Sequence, residues 1–249
     1  MKEQFYSLLN KRKSFHRFDV ESNLKITSQD LNRIEEEYLK FDTLYSDIKT
    51  KIRIIDASST NDKKGAEYFI LIYSEKKDNY LMNVGYIGEQ LDLLLNSMGI
   101  GSLWYGMGKS DEPKFEGLDY VIMFAIRKVS NEELFRNVNE FKRLSLDDFW
   151  NGETFNLAEM TRFAPSAVNT QPWRVEATED EIKVYRVKRK IVLPSVVFNY
   201  FNRIDMGIYL CFLEVSLEHN RIGFNRELFI DNSRKGNVLV AKYNLVKGE

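Results

Sequence analysis

This 249-residue chain contains one cysteine and four prolines, and it has no long uninterrupted apolar run. Cys211 has no second cysteine with which to form an internal disulfide, which favours a reducing compartment. No stretch is long and apolar enough to span a bilayer, and the N-terminal residues lack the apolar core and cleavage site of a secretory signal. We therefore predict a cytoplasmic protein that has no membrane partner and folds in water.

An excess of charge of one sign is also missing, since 36 lysines and arginines face 37 aspartates and glutamates. A chain without a basic field does not attract nucleic acid over long distances, so we predict no nucleic-acid partner. The basic run at residues 11–14 leaves local nucleic-acid binding open as an alternative. His16 and His219 have no partners at catalytic spacing, and no group of side chains has metal-ligand spacing, so we predict neither a catalytic constellation nor a metal.

The prolines and glycines form no flexible linker, which indicates that all parts of the chain share one core. Segment 84–101 resembles segment 206–223 at an offset of 122 residues, with five of eighteen positions identical. Gly85 and Gly207 are among them, and in helices they would let two backbones approach closely. The similarity indicates either an internal duplication or two unrelated core helices.

Apolar spacing predicts the main elements. Helices are expected near the N-terminus, after a cap at 27–30, and over 205–220. Continuous apolar runs predict central strands at 66–73 and 120–126, and a turn at 178–181 predicts a strand pair on either side of it.

A basic motif at residues 12–18 reads Arg-Lys-Ser-Phe-His-Arg-Phe and is expected at the end of a helix. An arginine offers a planar fork to phosphate oxygens, a lysine offers a mobile charge, and a serine can bind a phosphate or a sugar hydroxyl. A solvated surface segment is the alternative.

A glycine motif at residues 99–106 reads Gly-Ile-Gly-Ser-Leu-Trp-Tyr-Gly. Gly99 can end the preceding helix in the left-handed conformation. A glycine-rich loop would let the backbone approach a flat ligand, with Trp104 or Tyr105 bordering its ring. The alternative is a capped turn that leads into a core strand.

A clamp motif at residues 164–173 reads Ala-Pro-Ser-Ala-Val-Asn-Thr-Gln-Pro-Trp. Its prolines stiffen the backbone, while Ser166, Asn169 and Gln171 offer hydrogen bonds without charge. We interpret this segment as a rigid polar clamp placed directly before a strand.

The three motifs together resemble those of the FMN-dependent nitroreductase family, whose patterns are Arg-Arg-Ser-x-Arg-x-Phe, Gly-x-Gly-Ser-x-Trp-x-Gly and Ala-Pro-Ser-x-x-Asn-x-Gln-Pro-Trp. The resemblance implies an α+β fold of the three-layer α/β/α sandwich type. It also implies FMN as the cofactor and NADH or NADPH as the reductant. The expected cofactor-binding residues are Arg12, Lys13, Ser14, Trp104, Tyr105, Gly106, Lys142, Arg143, Pro165, Ser166, Asn169 and Gln171.

The order of the motifs departs from the family pattern. In the family that the chain resembles, the clamp motif comes soon after the basic motif, and two identical chains pair to form the sites. In this chain the clamp motif comes after the glycine motif instead. Residues 1–144 keep the basic and glycine motifs, and residues 145–249 keep the clamp. We therefore expect a monomer that acts as a pseudo-dimer, with two related halves fused through a shared core and one flavin per chain.

These expectations predict an FMN-dependent oxidoreductase that moves hydride from NAD(P)H through the flavin to a small nitroaromatic, quinone or enone acceptor. Phe198, Tyr200 and Phe201 could wall the open face of the flavin. The alternative is a catalytically silent relic of the nitroreductase fold, either flavin-binding or empty.

Overall fold

The structure, a computed structural model, describes residues 2–19, 23–59, 64–187, 195–233 and 237–246. Its α-helices are α1 (Lys2–Tyr6), α2 (Ser28–Tyr38), α3 (Tyr80–Ser97), α4 (Asn131–Leu134), α5 (Leu146–Phe149), α6 (Ala158–Thr161) and α7 (Ser195–His219). Its strands are β1 (Thr50–Asp56), β2 (Tyr68–Ser74), β3 (Ile100–Tyr105), β4 (Lys114–Phe115), β5 (Leu118–Lys128), β6 (Trp150–Gly152), β7 (Trp173–Ala177), β8 (Glu181–Arg186), β9 (Gly223–Leu228) and β10 (Val238–Val246). Within these ranges no helix is long and apolar enough to cross a membrane.

The strands form two five-stranded sheets, and the α+β fold class is confirmed. The first sheet has the order β1-β2-β5-β3, with β4 paired to β5, and its pairs are antiparallel. The second has the order β6-β7-β8-β10-β9, in which β6 and β7 run parallel and the other pairs antiparallel. With the short strands β4 and β6 set aside, both sheets have the strand order first, second, fourth, third. In both, a long helix follows the second strand.

The two long helices, α3 and α7, cross at a pair of glycines. A Cβ on Gly85 would collide with the carbonyl oxygen of Ile204, and a Cβ on Gly207 would collide with the carbonyl oxygen of Met82. Glycine permits this approach because it has no side chain. The two contacts are equivalent. At the offset of 122 residues Gly85 corresponds to Gly207, and Met82 corresponds to Ile204.

The main apolar core fills the space between the sheets and contains both long helices. It joins inner side chains of the first sheet, such as Ile72, to those of the second, such as Val175. The outer face of the first sheet has a smaller core, in which Phe15 and Phe18 take part. Side chains of the basic motif therefore help to cover that face.

Most local sequence signals correspond to the elements they predicted. The Thr27 side chain accepts a hydrogen bond from the Asp30 N–H at 3.1 Å, and Asp30 accepts one from the Thr27 N–H, so the predicted cap begins α2. The predicted central strands are β2 and β5, and the predicted strand pair is β7 and β8. The glycine motif matches its alternative reading, a capped turn that leads into a core strand. Gly99 follows the end of α3 with φ 70°, and β3 begins at Ile100.

Candidate functional site

Arg12 is the buried member of the basic motif. It is 2% exposed, and its Nε lies 2.6 Å from Oδ2 of Asp92 on α3. Asp92 also accepts a hydrogen bond from the Ser102 hydroxyl, and a carboxylate oxygen of Glu89 lies 4.0 Å from Arg12 Nε. The basic motif is not at the end of a helix, because α1 ends at Tyr6 and turns lead from there to Arg12.

Lys13 and Ser14 are half-buried at the edge of the first sheet. Lys13 donates from Nζ to the Glu133 carbonyl at 3.1 Å, and its ammonium lies 4.7 Å from the centre of the Phe15 ring. Ser14 forms a parallel bridge with Ser102 in β3. The basic and glycine motifs therefore run side by side.

Trp104 and Tyr105 face opposite sides of β3, because successive side chains alternate along a strand. The Trp104 ring lies 4.3 Å from the Phe124 ring and packs against Gly88 of α3. The Tyr105 ring lies on the outer side, 6.4 Å from Phe69. Of these two side chains, only Trp104 faces α3.

Gly106 lies under an aromatic side chain of α7. A Cβ on Gly106 would come within 2.7 Å of the Phe201 ring. Tyr200 donates its hydroxyl to the Val121 carbonyl at 2.7 Å. Side chains of α7 thus reach the first sheet, while the side chain of Phe198 lies outside the described part of the chain.

The clamp loop, residues 164–173, holds three non-glycine residues with left-handed backbone conformations. The φ angles are 51° for Val168, 56° for Asn169 and 47° for Gln171. Such conformations cost on the order of 1–3 kcal/mol each for residues other than glycine, and they persist only where surrounding contacts impose them. The Val168 side chain is 74% exposed, so its own burial does not offset the strain.

Side-chain amides fasten the clamp loop to the segment around Arg143. Asn169 accepts a hydrogen bond from Arg143 Nη1 at 2.8 Å and donates one to the Lys142 carbonyl at 2.8 Å. Gln171 accepts from the Leu144 N–H at 2.9 Å, and its own N–H donates to the Ser166 hydroxyl oxygen at 2.9 Å. Asn169 and Gln171 were both predicted to bind the cofactor, and in the structure their side-chain amides form hydrogen bonds to other residues of the protein. Of the other predicted residues, Pro165 and Ser166 are half-buried and Lys142 is exposed.

Arg143 belongs to a group of four arginines, Arg12, Arg136, Arg143 and Arg162, which we call the arginine cluster. Burial and the positive charges of the other three lower the pKa of Arg143 to about 10. The guanidinium groups of Arg136 and Arg143 each lie 5.3 Å from the centre of the Phe141 ring. The cluster connects the basic motif to the clamp loop.

Neutral acceptors hold Arg143 and Arg162 of the arginine cluster, whereas Arg136 lies 4.0 Å from a carboxylate oxygen of Glu140. Arg143 donates to the carbonyls of Lys142 and Phe163, and Arg162 donates to the Leu144 carbonyl at 2.9 Å. Among the residues described, neither Arg143 nor Arg162 forms an ion pair. Like charges held together in this way favour a bound anion, and arginine forks match the geometry of a phosphate.

Glu89 and Asp92 share one buried arginine. Burial and the neighbouring Asp92 raise the pKa of Glu89 well above its usual value, while the charge of Arg12 and the Trp104 indole act in the opposite direction. Because one guanidinium lies between two carboxyl groups, Glu89 is the group that keeps a proton.

Sequence reasoning missed Arg136 and Arg162. Arg162 stands two positions before the clamp motif, and Arg136 lies in a stretch without a recognisable pattern. The arginine-rich character of this region becomes visible only when the fold brings the segments together.

The fold is that of an α+β protein, and four arginines lie together between the basic motif and the clamp loop. Residues 4–217 match the family described as "Putative TM nitroreductase". The chain belongs to this nitroreductase family, and its general role is that of an oxidoreductase acting on small molecules.

Two solved structures to which the chain is similar carry nitroreductase descriptions. A "putative nitroreductase" from Thermotoga maritima has a TM-score of 0.63 and 21% identity, covering 97% of this chain and 92% of that chain. A nitroreductase family protein from Clostridium difficile has a TM-score of 0.46 and 14% identity, covering 57% of this chain and 94% of that chain. The first likeness supports the fold, and no curated protein matches the chain.

Proposed function

We propose that the chain is an FMN-dependent oxidoreductase that transfers hydride from NADH or NADPH, through the flavin, to a small nitroaromatic, quinone or enone acceptor. The arginine cluster carries this proposal, because Arg143 and Arg162 present positive charge that no described carboxylate balances. A phosphate monoester dianion is a ligand that would balance them.

The chain's own residues would bind and orient the cofactor. Bound FMN would supply the redox chemistry by accepting and passing on hydride. Arg143 and Arg162 would hold its phosphate, whereas Asp92 balances the charge of Arg12. The clamp loop contains no charged residue, so it would border the flavin with backbone and neutral groups.

We further propose one site per chain, formed between residues 1–144 and 145–249 as related halves. The repeated strand order and the paired glycine contacts of α3 and α7 support a duplication. They favour it over two unrelated core helices, since chance similarity would not repeat the contacts at one offset.

Arg226 would close the second site of such a pseudo-dimer. It corresponds to Trp104 at the offset of 122 residues. Arg226 donates to Glu214 at 2.6 Å and to the Thr43 carbonyl at 3.2 Å. Thr43 lies in the first half's counterpart of the clamp loop, so Arg226 bridges the strand and loop between which a second flavin would bind.

Flavin binding and reduction test the proposal. Purified protein should be yellow, release one FMN per chain, and bleach when NADH or NADPH is added without oxygen. Yellow protein that stays unbleached would indicate a silent flavin binder, and colourless protein without FMN affinity would indicate an empty relic. The buried pairing of Arg12 with Asp92 is the feature that favours a relic.

Arg162→Ala tests the phosphate assignment, and Lys40→Ala is its matched control. Lys40 is the counterpart of Arg162 in the first half and pairs with Glu37 at 2.8 Å. We expect Arg162→Ala to weaken FMN binding about tenfold or more, equivalent to about 1.4 kcal/mol, and Lys40→Ala to leave it unchanged. Riboflavin, which has no phosphate, should bind both variants alike. Unchanged FMN binding in Arg162→Ala would contradict the assignment.

A further inference from the structure

Asp205, a buried residue of α7, forms hydrogen bonds to the clamp loop. Its Oδ1 accepts a hydrogen bond from the Ala167 N–H at 3.0 Å, and its Oδ2 lies 3.4 Å from the Thr170 hydroxyl. The Thr170 hydroxyl also lies 3.3 Å from Oδ1 of Asn202. Asp205 is 3% exposed, so it acts on a ligand only through the loop.

The counterpart of Asp205 at the offset of 122 residues is Asn83 on α3. Asn83 Oδ1 accepts hydrogen bonds from the N–H groups of Leu44 at 2.9 Å and Tyr45 at 3.1 Å. Tyr45 corresponds to Ala167, so both helices anchor the matching loop from the matching position. A neutral amide is therefore sufficient to anchor a loop here, and the clamp loop has an acid instead.

The two loops differ in backbone strain. Residues 42–48 contain no residue with a positive φ, whereas the clamp loop contains Val168, Asn169 and Gln171 in the left-handed region. A charged acceptor forms a hydrogen bond roughly twice as strong as a neutral one. The acid supplies a stronger anchor at the loop that carries strain.

We propose that Asp205 is a positioning residue for the cofactor, because its carboxylate holds the clamp loop in its left-handed conformation through the hydrogen bond to Ala167. This inference rests on the proposed function, and it adds a residue that touches no ligand. It also makes cofactor affinity depend on the protonation of a group outside the binding surface.

Burial raises the pKa of Asp205 to about 8, and the hydrogen bonds from Ala167 and Thr170 oppose this rise. The clamp loop has no ionisable side chain. The ionisable side chains nearby on the surrounding elements interact with other groups. Arg203 lies near the Asp231 carboxylate, and Arg162 donates to the Leu144 carbonyl. The hydroxyls of Tyr209 and Tyr86 bond to Thr161 and Glu214. Between about pH 7 and about pH 9 the carboxyl group loses its proton, so its bond to Ala167 strengthens while the folded state becomes less stable.

Asp205→Asn separates affinity from stability, and Asn83→Asp is the matched control. At about pH 9 we expect Asp205→Asn to bind FMN about tenfold more weakly than the wild type but to melt at an equal or higher temperature. The wild-type affinity should rise between about pH 7 and about pH 9, and the variant's should not. Asn83→Asp should lose thermal stability as the pH rises and keep its FMN affinity.

The inference would be overturned if Asp205→Asn bound FMN as tightly as the wild type at about pH 9. It would also be overturned if the variant's loss of FMN affinity only paralleled a loss of thermal stability. If the wild type itself binds no FMN, the proposed function fails, and hydrogen exchange of the free protein then tests the positioning role. Loss of protection at the Ala167 amide in Asp205→Asn, with protection kept in Asn83→Asp, would support the role. Equal protection in both variants and the wild type would refute it.

Discussion

Arg12 lies between two buried carboxyl groups, and this arrangement fixes the charge of the site's interior. Asp92 contacts the guanidinium directly, whereas Glu89 lies further away and its pKa is raised. An unbalanced buried charge is costly, so the group is most stable with one proton on Glu89. The net positive charge available to a ligand therefore comes from Arg143 and Arg162.

Glu89→Gln should make stability less dependent on pH. The folded state keeps a proton that the unfolded chain releases above the ordinary pKa of 4.5, so wild-type stability falls as the pH rises from there. We expect the variant to lose less stability than the wild type between about pH 5 and about pH 8 in urea unfolding. Glu159→Gln, an exposed position on α6, is the control and should follow the wild type. Equal slopes for Glu89→Gln and the wild type would show that Glu89 is ionised when buried.

The sequence indicated which residue types form the site better than it indicated their contacts. The family resemblance implies that Arg143 binds the cofactor, and Arg143 belongs to the arginine cluster. Arg12 was expected to contact a phosphate, and in the structure it pairs with Asp92. The sequence could not indicate this pair, because no local pattern connects positions eighty residues apart. Asn169 was expected to face the flavin, but the direction of its amide depends on Arg143.

At the scale of elements, the crossing of α3 and α7 joins the two sheets. Its geometry requires backbone-to-backbone contact at Gly85 and Gly207. Periodicity predicted both helices, because their burial follows from a local apolar pattern. The sequence leaves a ligand-binding loop and a core strand both open for the glycine motif. Glycine disfavours strands locally, and only the tertiary pairing of Gly101 with Arg127 of β5 decides for the strand.

Gly85→Ala and Gly207→Ala should each destabilise the protein. In an exposed helix, replacing glycine by alanine stabilises by about 1 kcal/mol, but here the new methyl group would meet a carbonyl oxygen. We expect a loss of about 2–3 kcal/mol in the free energy of unfolding for each variant. Ser97→Ala, at the exposed end of α3, should change it by less than about 0.5 kcal/mol. A stabilising effect at either glycine would disprove the close contact.

At the scale of the whole molecule, the proposed pseudo-dimer needs no second chain. The helix pair that would form a dimer interface is already buried inside the core. Light scattering should therefore give a mass near 29.3 kDa with and without FMN. A mass twice as large, with FMN content dependent on it, would show that the site is shared between two chains.

Residues 129–149 connect β5 of the first sheet to β6 of the second, and they also carry Arg136 and Arg143. The connection between the sheets is thus part of the surface on which a phosphate would be held. In a site assembled from separate subunits, retention of the ligand weakens as the protein is diluted and the subunits part. In the proposed pseudo-dimer a covalent tether would set the local concentration of one half around the other, so occupancy should follow the concentration of free FMN alone.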